Sequence, residues 1–267
     1  MKGELQRLFG LPFEKINVVP NGVNLNKFTG MDRDYSFRRK YAMDNEKIIL
    51  FMGRLVYEKG IQYLISAMPK ILEGYHDAKL VICGKGGMID ELKAQVNAMG
   101  IGEKVYFAGY MAGKDVQRMY KAADISVFPS TYEPFGIVAL EGMLSGTPVV
   151  VSDVGGLNEI VQHGENGMKS YAGNPNSLAD SIVSLLYDPA LCMKVAKNAK
   201  AKVRAEYNWQ KIAQDTHFAY QKAICETVAE KQAREIAQEK AQKAKKMKNP
   251  EKEITNLLNF RKRNAYA

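Results

Sequence analysis

The sequence predicts an α/β fold, a doubly wound parallel sheet followed by a helical tail. Three observations predict it. From Lys47 to Tyr171, short β-rich runs alternate with longer helix-patterned segments, the order that builds a parallel sheet with helices on both faces. The β-rich runs are mostly continuous in apolar residues, as strands covered on both faces are. Glycine follows several of them directly, at Gly53, Gly84 and Gly109. In an open parallel sheet the carboxyl ends of the strands form the ligand crevice, and glycine there lets backbone approach a ligand closely.

The predicted strands, in order, are Ile48-Ile49-Leu50-Phe51-Met52, Lys79-Leu80-Val81-Ile82-Cys83, Val105-Tyr106-Phe107, Ile125-Ser126-Val127-Phe128 and Pro148-Val149-Val150-Val151. Helix-like segments lie between them near 60–73, 88–99, 114–122 and 135–145. After the turn-rich Gly164-Glu165-Asn166-Gly167, a short extended run leads to helices near 176–187, 189–206 and 209–247. The last begins with Trp209, Ile212, Phe218, Tyr220 and Ile224, then turns charged and alanine-rich beyond Glu226. That distal part has too few large apolar groups to bury much surface. Residues 1–225 are therefore read as one domain, and 226–267 as a charged basic tail, helical or partly disordered.

Cys83, Cys192 and Cys225 are odd in number, widely spaced and free of any CxxC or Cys/His grouping. Neither a disulfide framework nor a zinc site is expected, and a reducing cytoplasm fits. The segment Met1 to Leu11 has no apolar run long enough for a signal peptide. No apolar stretch approaches the roughly 20 residues of a membrane span, so a soluble protein is expected. Of the net charge of +9, residues 226–267 hold +5, with eleven Lys/Arg against six Glu, and the rest only +4. A modestly basic body suits an anionic small ligand, and equally a merely solvated surface. The cluster Lys243 to Lys248 admits weak contact with anionic membrane at the inner face. No aromatic interleaving of the kind that stacks bases accompanies it, so no nucleic acid is expected.

The most informative segment is Ser130-Thr131-Tyr132-Glu133-Pro134-Phe135-Gly136-Ile137-Val138-Ala139-Leu140-Glu141-Gly142-Met143. It follows a predicted strand, which puts Glu133 at the carboxyl edge of the sheet, and Pro134 suits the first position of the next helix. The amides of Phe135, Gly136 and Ile137 then point outward as donors for ligand hydroxyls or phosphate. Glu141 sits in a helix apolar on nearly every side, where an ionised carboxylate needs a partner. That partner is either an internal lysine, arginine or backbone amide, or a ligand. Eight residues across a loop and two helical turns separate the carboxylates by roughly 10–12 Å at 1.5 Å rise per residue, resembling the reach from sugar to ribose in a nucleotide-sugar.

A second cluster is Gly53-Arg54-Leu55-Val56-Tyr57-Glu58-Lys59-Gly60. Arg54 follows the first core strand and Lys59 precedes the next helix, so both can face the crevice and neutralise a diphosphate; a surface salt bridge among Arg54, Glu58 and Lys59 is the bland alternative. Gly84-Lys85-Gly86-Gly87 resembles a dinucleotide fingerprint only weakly, since Ile89 stands in place of its third glycine. His76, His163 and His217 are scattered and are assigned no chemistry.

Taken together, Val19-Pro20-Asn21-Gly22-Val23, Gly53-Arg54-Leu55, Glu58-Lys59-Gly60, Glu133-Pro134-Phe135-Gly136 with Glu141, Gly146-Thr147-Pro148-Val149-Val150, and Gly155-Gly156 before Glu159-Ile160-Val161 resemble the C-terminal, donor-binding domain of glycosyltransferase family 4. These are retaining enzymes of the GT-B fold, each built from two Rossmann-like domains. The resemblance covers roughly residues 5 to 225, with 1–45 as an interdomain lead-in. It implies that Arg54 and Lys59 bind the donor diphosphate, Glu133 with the amides of Phe135 to Ile137 the sugar, and Glu141 the ribose. Gly53 would contact the donor, and the turn Gly109-Tyr110-Met111 would lie near the base. Glu133, Arg54 and Lys59 are the residues it ties to catalysis.

The resemblance further implies hexosyl transfer from a nucleoside-diphosphate sugar with no metal or other cofactor. It also implies an acceptor, a glycan or small molecule, held mainly by a preceding domain that this chain is expected to lack, with little activity for the chain alone. Two other functions stay open: a GT-B-type sugar-nucleotide epimerase, and a non-catalytic nucleotide-binding protein whose basic tail contacts membrane or RNA.

Overall fold

Continuous apolar runs become strands here because helices roof both of their faces. A computed structural model describes residues 2–247. In chain order the elements are α1 (Lys2–Phe9), α2 (Tyr35–Arg38), β1 (Lys47–Met52), α3 (Ile61–Gly74), β2 (Ala78–Cys83), α4 (Ile89–Ala98), β3 (Val105–Gly109), α5 (Lys114–Ala122), β4 (Ile125–Phe128), α6 (Ile137–Ser145), β5 (Val149–Ser152), α7 (Gly155–Ile160), β6 (Met168–Ser170), α8 (Pro175–Tyr187), α9 (Pro189–Glu206) and α10 (Trp209–Met247). Short 3₁₀ turns sit at Leu25–Phe28 and Tyr57–Lys59, among others.

All six strands pair in parallel in the order β3-β2-β1-β4-β5-β6. The chain leaves β1 in one direction and returns at β4 to build in the other. The switch point therefore lies between β1 and β4, and the crevice outside their carboxyl ends is where such sheets bind ligands. This is the α/β, Rossmann-like, doubly wound sheet that the sequence predicts, with a helical C-terminal segment.

The core divides by strand parity. Ile48 and Leu50 point to one face, where they join Met119, Tyr120, Leu140 and Met143 from α5 and α6. Ile49 and Phe51 point to the other, with Leu64, Ile65, Met68 and Ile182 from α3 and α8. Both members of each alternating pair are fully or nearly fully buried, which is why the period-two signal vanishes from the sequence. Burying side chains of this size contributes about 1.5–3 kcal/mol each, so the inner strands anchor the sheet. Helices α8 and α9 both start with proline in the first turn behind a capping carboxamide or carboxylate: Asn174 accepts from the Ser177 amide and Asp188 from the Leu191 amide.

Residues up to Ala213 form one compact unit, and the chain from Gln214 belongs to a second. In that second unit, residues 223–245 are exposed. No helix among the described residues is long and apolar enough to cross a membrane. Part of the basic cluster and the rest of the tail, residues 248–267, lie outside the described residues.

Candidate functional site

Two loops flank the switch point, 53–60 after β1 and 129–136 after β4. They touch through backbone because Gly60 has no side chain: at φ +68°, a methyl group there would lie 1.9 Å from the Pro129 carbonyl oxygen. The Thr131 amide donates to the Glu58 carbonyl at 2.9 Å. The β4 loop is fastened in the same way to the turn after β5. The Gly156 amide donates to the Glu133 carbonyl at 2.8 Å, and a methyl group on Gly155 (φ +45°) would lie 2.3 Å from that same oxygen. Three loops are thus joined main chain to main chain around Glu133.

The Glu133 side chain is buried, with the residue 7% exposed. Its Oε2 accepts from Lys59 Nζ at 2.5 Å, and its Oε1 from the Gly136 amide at 3.3 Å. A carboxylate this enclosed stays ionised only with such partners. Lys59 is itself mostly buried, its side chain 17% exposed. An ammonium has three donors, so the pair with Glu133 leaves capacity at Lys59 for a second acceptor. The alternative of a surface salt bridge among Arg54, Glu58 and Lys59 is not seen among the described residues; Lys59 reaches across the crevice to Glu133.

The expected helix start needs correction. Pro134 does not open α6, which begins at Ile137 behind Gly136. Gly136 adopts φ +72°, a left-handed conformation outside the helix, and this bend lets the Glu133 carboxylate fold back onto the Gly136 amide. Of the three amides expected to face outward, that of Gly136 is therefore occupied. Those of Phe135 and Ile137 have no hydrogen-bond partner among the described residues, and both residues are exposed.

Arg54 is exposed at the end of β1 and makes no ion pair or hydrogen bond among the described residues. The neighbouring Gly53 donates its amide to the Cys83 carbonyl at 3.0 Å, closing the crevice floor toward β2. Farther along the same edge a cavity of about 290 Å³ lies beyond β2 and β3, lined by Leu55, Gly84, Lys85, Gly86, Phe107 and Tyr110 among others. Lys85 Nζ stands 4.8 Å from the Tyr110 ring centroid. Tyr110 is exposed beside it, whereas Met111 packs against the core.

Glu141 is 20% exposed and accepts from Lys27 Nζ, so the partner its apolar helix demanded is an internal lysine. Lys27 comes from the Leu25–Phe28 turn, which Asn24 caps through the Asn26 amide. No local pattern in the sequence marks Lys27, because the pair spans 114 residues. Among the described residues no group of three or more His, Cys, Asp or Glu is placed to hold a metal ion.

Among the described residues the switch-point crevice of this parallel sheet thus presents an unpaired arginine, a lysine with spare donors, two open amides and a buried carboxylate. The glycosyl transferases group 1 family model matches residues 32–202, and the chain belongs to that family. A glycosyltransferase of Methanocaldococcus jannaschii is 46% identical over 84% of this chain and 58% of its own length. Glycogen synthase of Mycobacterium tuberculosis is 33% identical over 82% of this chain and 51% of its own. The chain spans little more than half the length of these relatives. Among solved structures, sucrose-phosphate synthase from Thermosynechococcus elongatus superposes with a TM-score of 0.71 at 30% identity, over 84% of this chain and 56% of that one. Anabaena HepE in complex with UDP gives 0.68 at 28% identity, over 83% and 59%.

Proposed function

We propose that this chain supplies the donor-binding half of a retaining glycosyltransferase that moves a hexosyl group from a nucleoside-diphosphate sugar to an acceptor. The observation that carries the reading is the Lys59–Glu133 pair held at the switch point beside the free Arg54 and the open amides of Phe135 and Ile137. Arg54 and the spare donors of Lys59 meet the diphosphate and stabilise the charge that develops on it as the sugar leaves. Glu133, fixed by Lys59 and by the Gly136 amide, accepts from sugar hydroxyls. The remaining oxygen of Glu141 accepts from the ribose. The base enters the cavity beside Tyr110, which Gly84 and Gly86 line while packing on the main chain of Gly53 and Leu55. The solved complexes of HepE with UDP and with UDP-glucose support a donor of this class.

Titration calorimetry with UDP-glucose, ADP-glucose and GDP-mannose tests the proposal. At least one should bind, and Arg54→Ala should weaken both it and the matching nucleoside diphosphate about tenfold, the size of a lost charge-assisted contact. Glu133→Gln keeps the shape and removes the charge. It should weaken the nucleotide-sugar severalfold while the bare diphosphate barely changes. Equal losses for the two ligands contradict the role given to Glu133, and absence of binding by all three donors contradicts the function.

A further inference from the structure

Two strands away from the switch point, beyond the carboxyl ends of β5 and β6, lies a cleft of about 610 Å³ that the donor site does not use. Its volume is in the range of small-molecule sites. The charged groups on its walls are already neutralised within the protein. Lys169 Nζ is held by Asp153 at 3.0 Å and by both the carbonyl and the side chain of Asn158, and Asp180 is paired with Lys70 at 2.6 Å. A cleft so balanced has no net attraction for an anion.

What it does offer is a mixture of hydrogen-bonding sites around an aromatic face. The Lys169 amide donates to His163 Nδ1 at 3.0 Å, which fixes the neutral ring with its proton on Nε2 and makes that nitrogen a donor. Asn174 spends its side-chain oxygen on the Ser177 amide, leaving its NH₂ group free. Asn176 is exposed and supplies both a donor and an acceptor, and Asp153 keeps one oxygen. Tyr171, 74% exposed, presents its ring on the same wall.

The cleft is also connected to the loop that carries Lys59, through Gly173, Tyr63 and Tyr57. The turn from Tyr171 to Asn174 closes through an amide-to-carbonyl bond of 3.2 Å. A methyl group on its Gly173 would touch the Tyr63 ring at 3.6 Å. The hydroxyls of Tyr63 and Tyr57 lie 3.1 Å apart, and Tyr57 opens the short turn that carries Lys59.

We propose that this cleft is a second carbohydrate site, taking a neutral oligosaccharide whose sugar faces stack on Tyr171 and whose hydroxyls pair with His163, Asn176 and Asp153. Sugars combine an apolar ring face with hydroxyls that both donate and accept, and a neutral cleft with an aromatic wall and mixed donors and acceptors complements both properties. Because the turn after Tyr171 meets Tyr63, and Tyr63 meets the turn that carries Lys59, the site would hold the acceptor glycan at a distance from the transfer point. Only this last use rests on the transferase reading; the binding itself does not.

The test is saturation-transfer NMR on the full chain with maltotetraose, cellotetraose and a mannotetraose, alongside a UDP titration. At least one tetrasaccharide should bind in the presence of saturating UDP. Tyr171→Ala should raise its Kd tenfold or more and Asn176→Ala about threefold, with UDP affinity unchanged. Both residues are exposed, so neither change threatens the fold. Failure of all three tetrasaccharides to bind, binding indifferent to Tyr171→Ala, or binding displaced by UDP would each overturn the site. Loss of UDP binding alone, with tetrasaccharide binding intact and sensitive to Tyr171→Ala, would instead sink the donor reading and leave the cleft standing.

Discussion

The two ends of the sheet each carry a carboxylate among cations, buried at the carboxyl end and half-buried at the amino end, and the cations around them are spent differently. At the amino end Asp124 accepts from Arg33 at 2.9 Å, from Arg38 at 3.2 Å and from the Ile48 amide at 2.8 Å. Arg38 spends its other donors on the carbonyls of Met43 and Glu46. That cluster ties the segment before β1 to the sheet, and Arg33 and Asp124 also line a cleft of about 370 Å³ there. At the carboxyl end Glu133 is more enclosed, yet Arg54 of the neighbouring loop has no partner among the described residues and the lysine that holds Glu133 has donors to spare. Charge density therefore does not separate the two ends; what differs is how the cations that hold each carboxylate are spent, Arg33 and Arg38 on further main-chain carbonyls and Lys59, among the described residues, on Glu133 alone.

Substitutions at the two ends should accordingly fail in different ways. The largest effect belongs to Asp124→Ala, which strands two arginines against the sheet edge. It should cost about 3–5 kcal/mol of stability by urea unfolding, the usual result of removing one partner of a buried pair, with nucleotide affinity unaltered in the folded fraction. Gly155→Ala comes next, at about 1–3 kcal/mol, and should weaken nucleotide-sugar binding as well, because the added methyl group displaces the Glu133 backbone. If it loses stability alone, the joined loops do not govern the donor site. Arg54→Ala should leave the unfolding midpoint within about 0.5 kcal/mol of the parent while reducing nucleotide affinity. A stability loss like that of Asp124→Ala would erase the contrast between the two ends.

A last contrast is a matter of pH. Burial pushes the Cys83 thiol up to about 12 from its ordinary 9.0, so the folded state withholds the thiolate. As pH rises from roughly 9 toward 12 the unfolded chain loses that proton first, and stability should decline across this window. Below it, iodoacetamide should modify the exposed Cys225 quickly and Cys83 only on unfolding. Rapid native alkylation of Cys83 would show that the β2 end of the crevice opens in solution.

The fold was legible because its signals are local. Runs such as Ile48 to Met52 and Ile125 to Phe128 mark inner strands by apolar continuity alone, and the helix limits expected near 60–73 and 189–206 fall within a residue of Ile61–Gly74 and on Pro189–Glu206. The three-residue β6 showed only as a short extended run, and α7 only as Gly155-Gly156 before an apolar pair, since neither is long enough to display a period. At the site, residue types were legible and pairings were not. Lys59 and Glu133 were placed at one crevice separately, but they stand 74 positions apart in the chain and no spacing rule reaches so far. Glu141 declared that it needed a partner without saying which. The Pro134 helix start failed because the bend at Gly136 depends on a φ angle that composition leaves free.

The glycines where the crevice loops cross have an architectural meaning beyond the strain they avoid. Gly60 under Pro129 and Gly155 under Glu133 hold neighbouring loops at the separation of bare main chain, so the width of the crevice is a ruled dimension set by side chains that do not exist. A lineage can vary what projects from those loops, and with it the ligand preferred, without moving the rails. Any residue with a Cβ at a crossing would pry the rails apart by a methyl group's thickness, altering the gauge for every ligand at once.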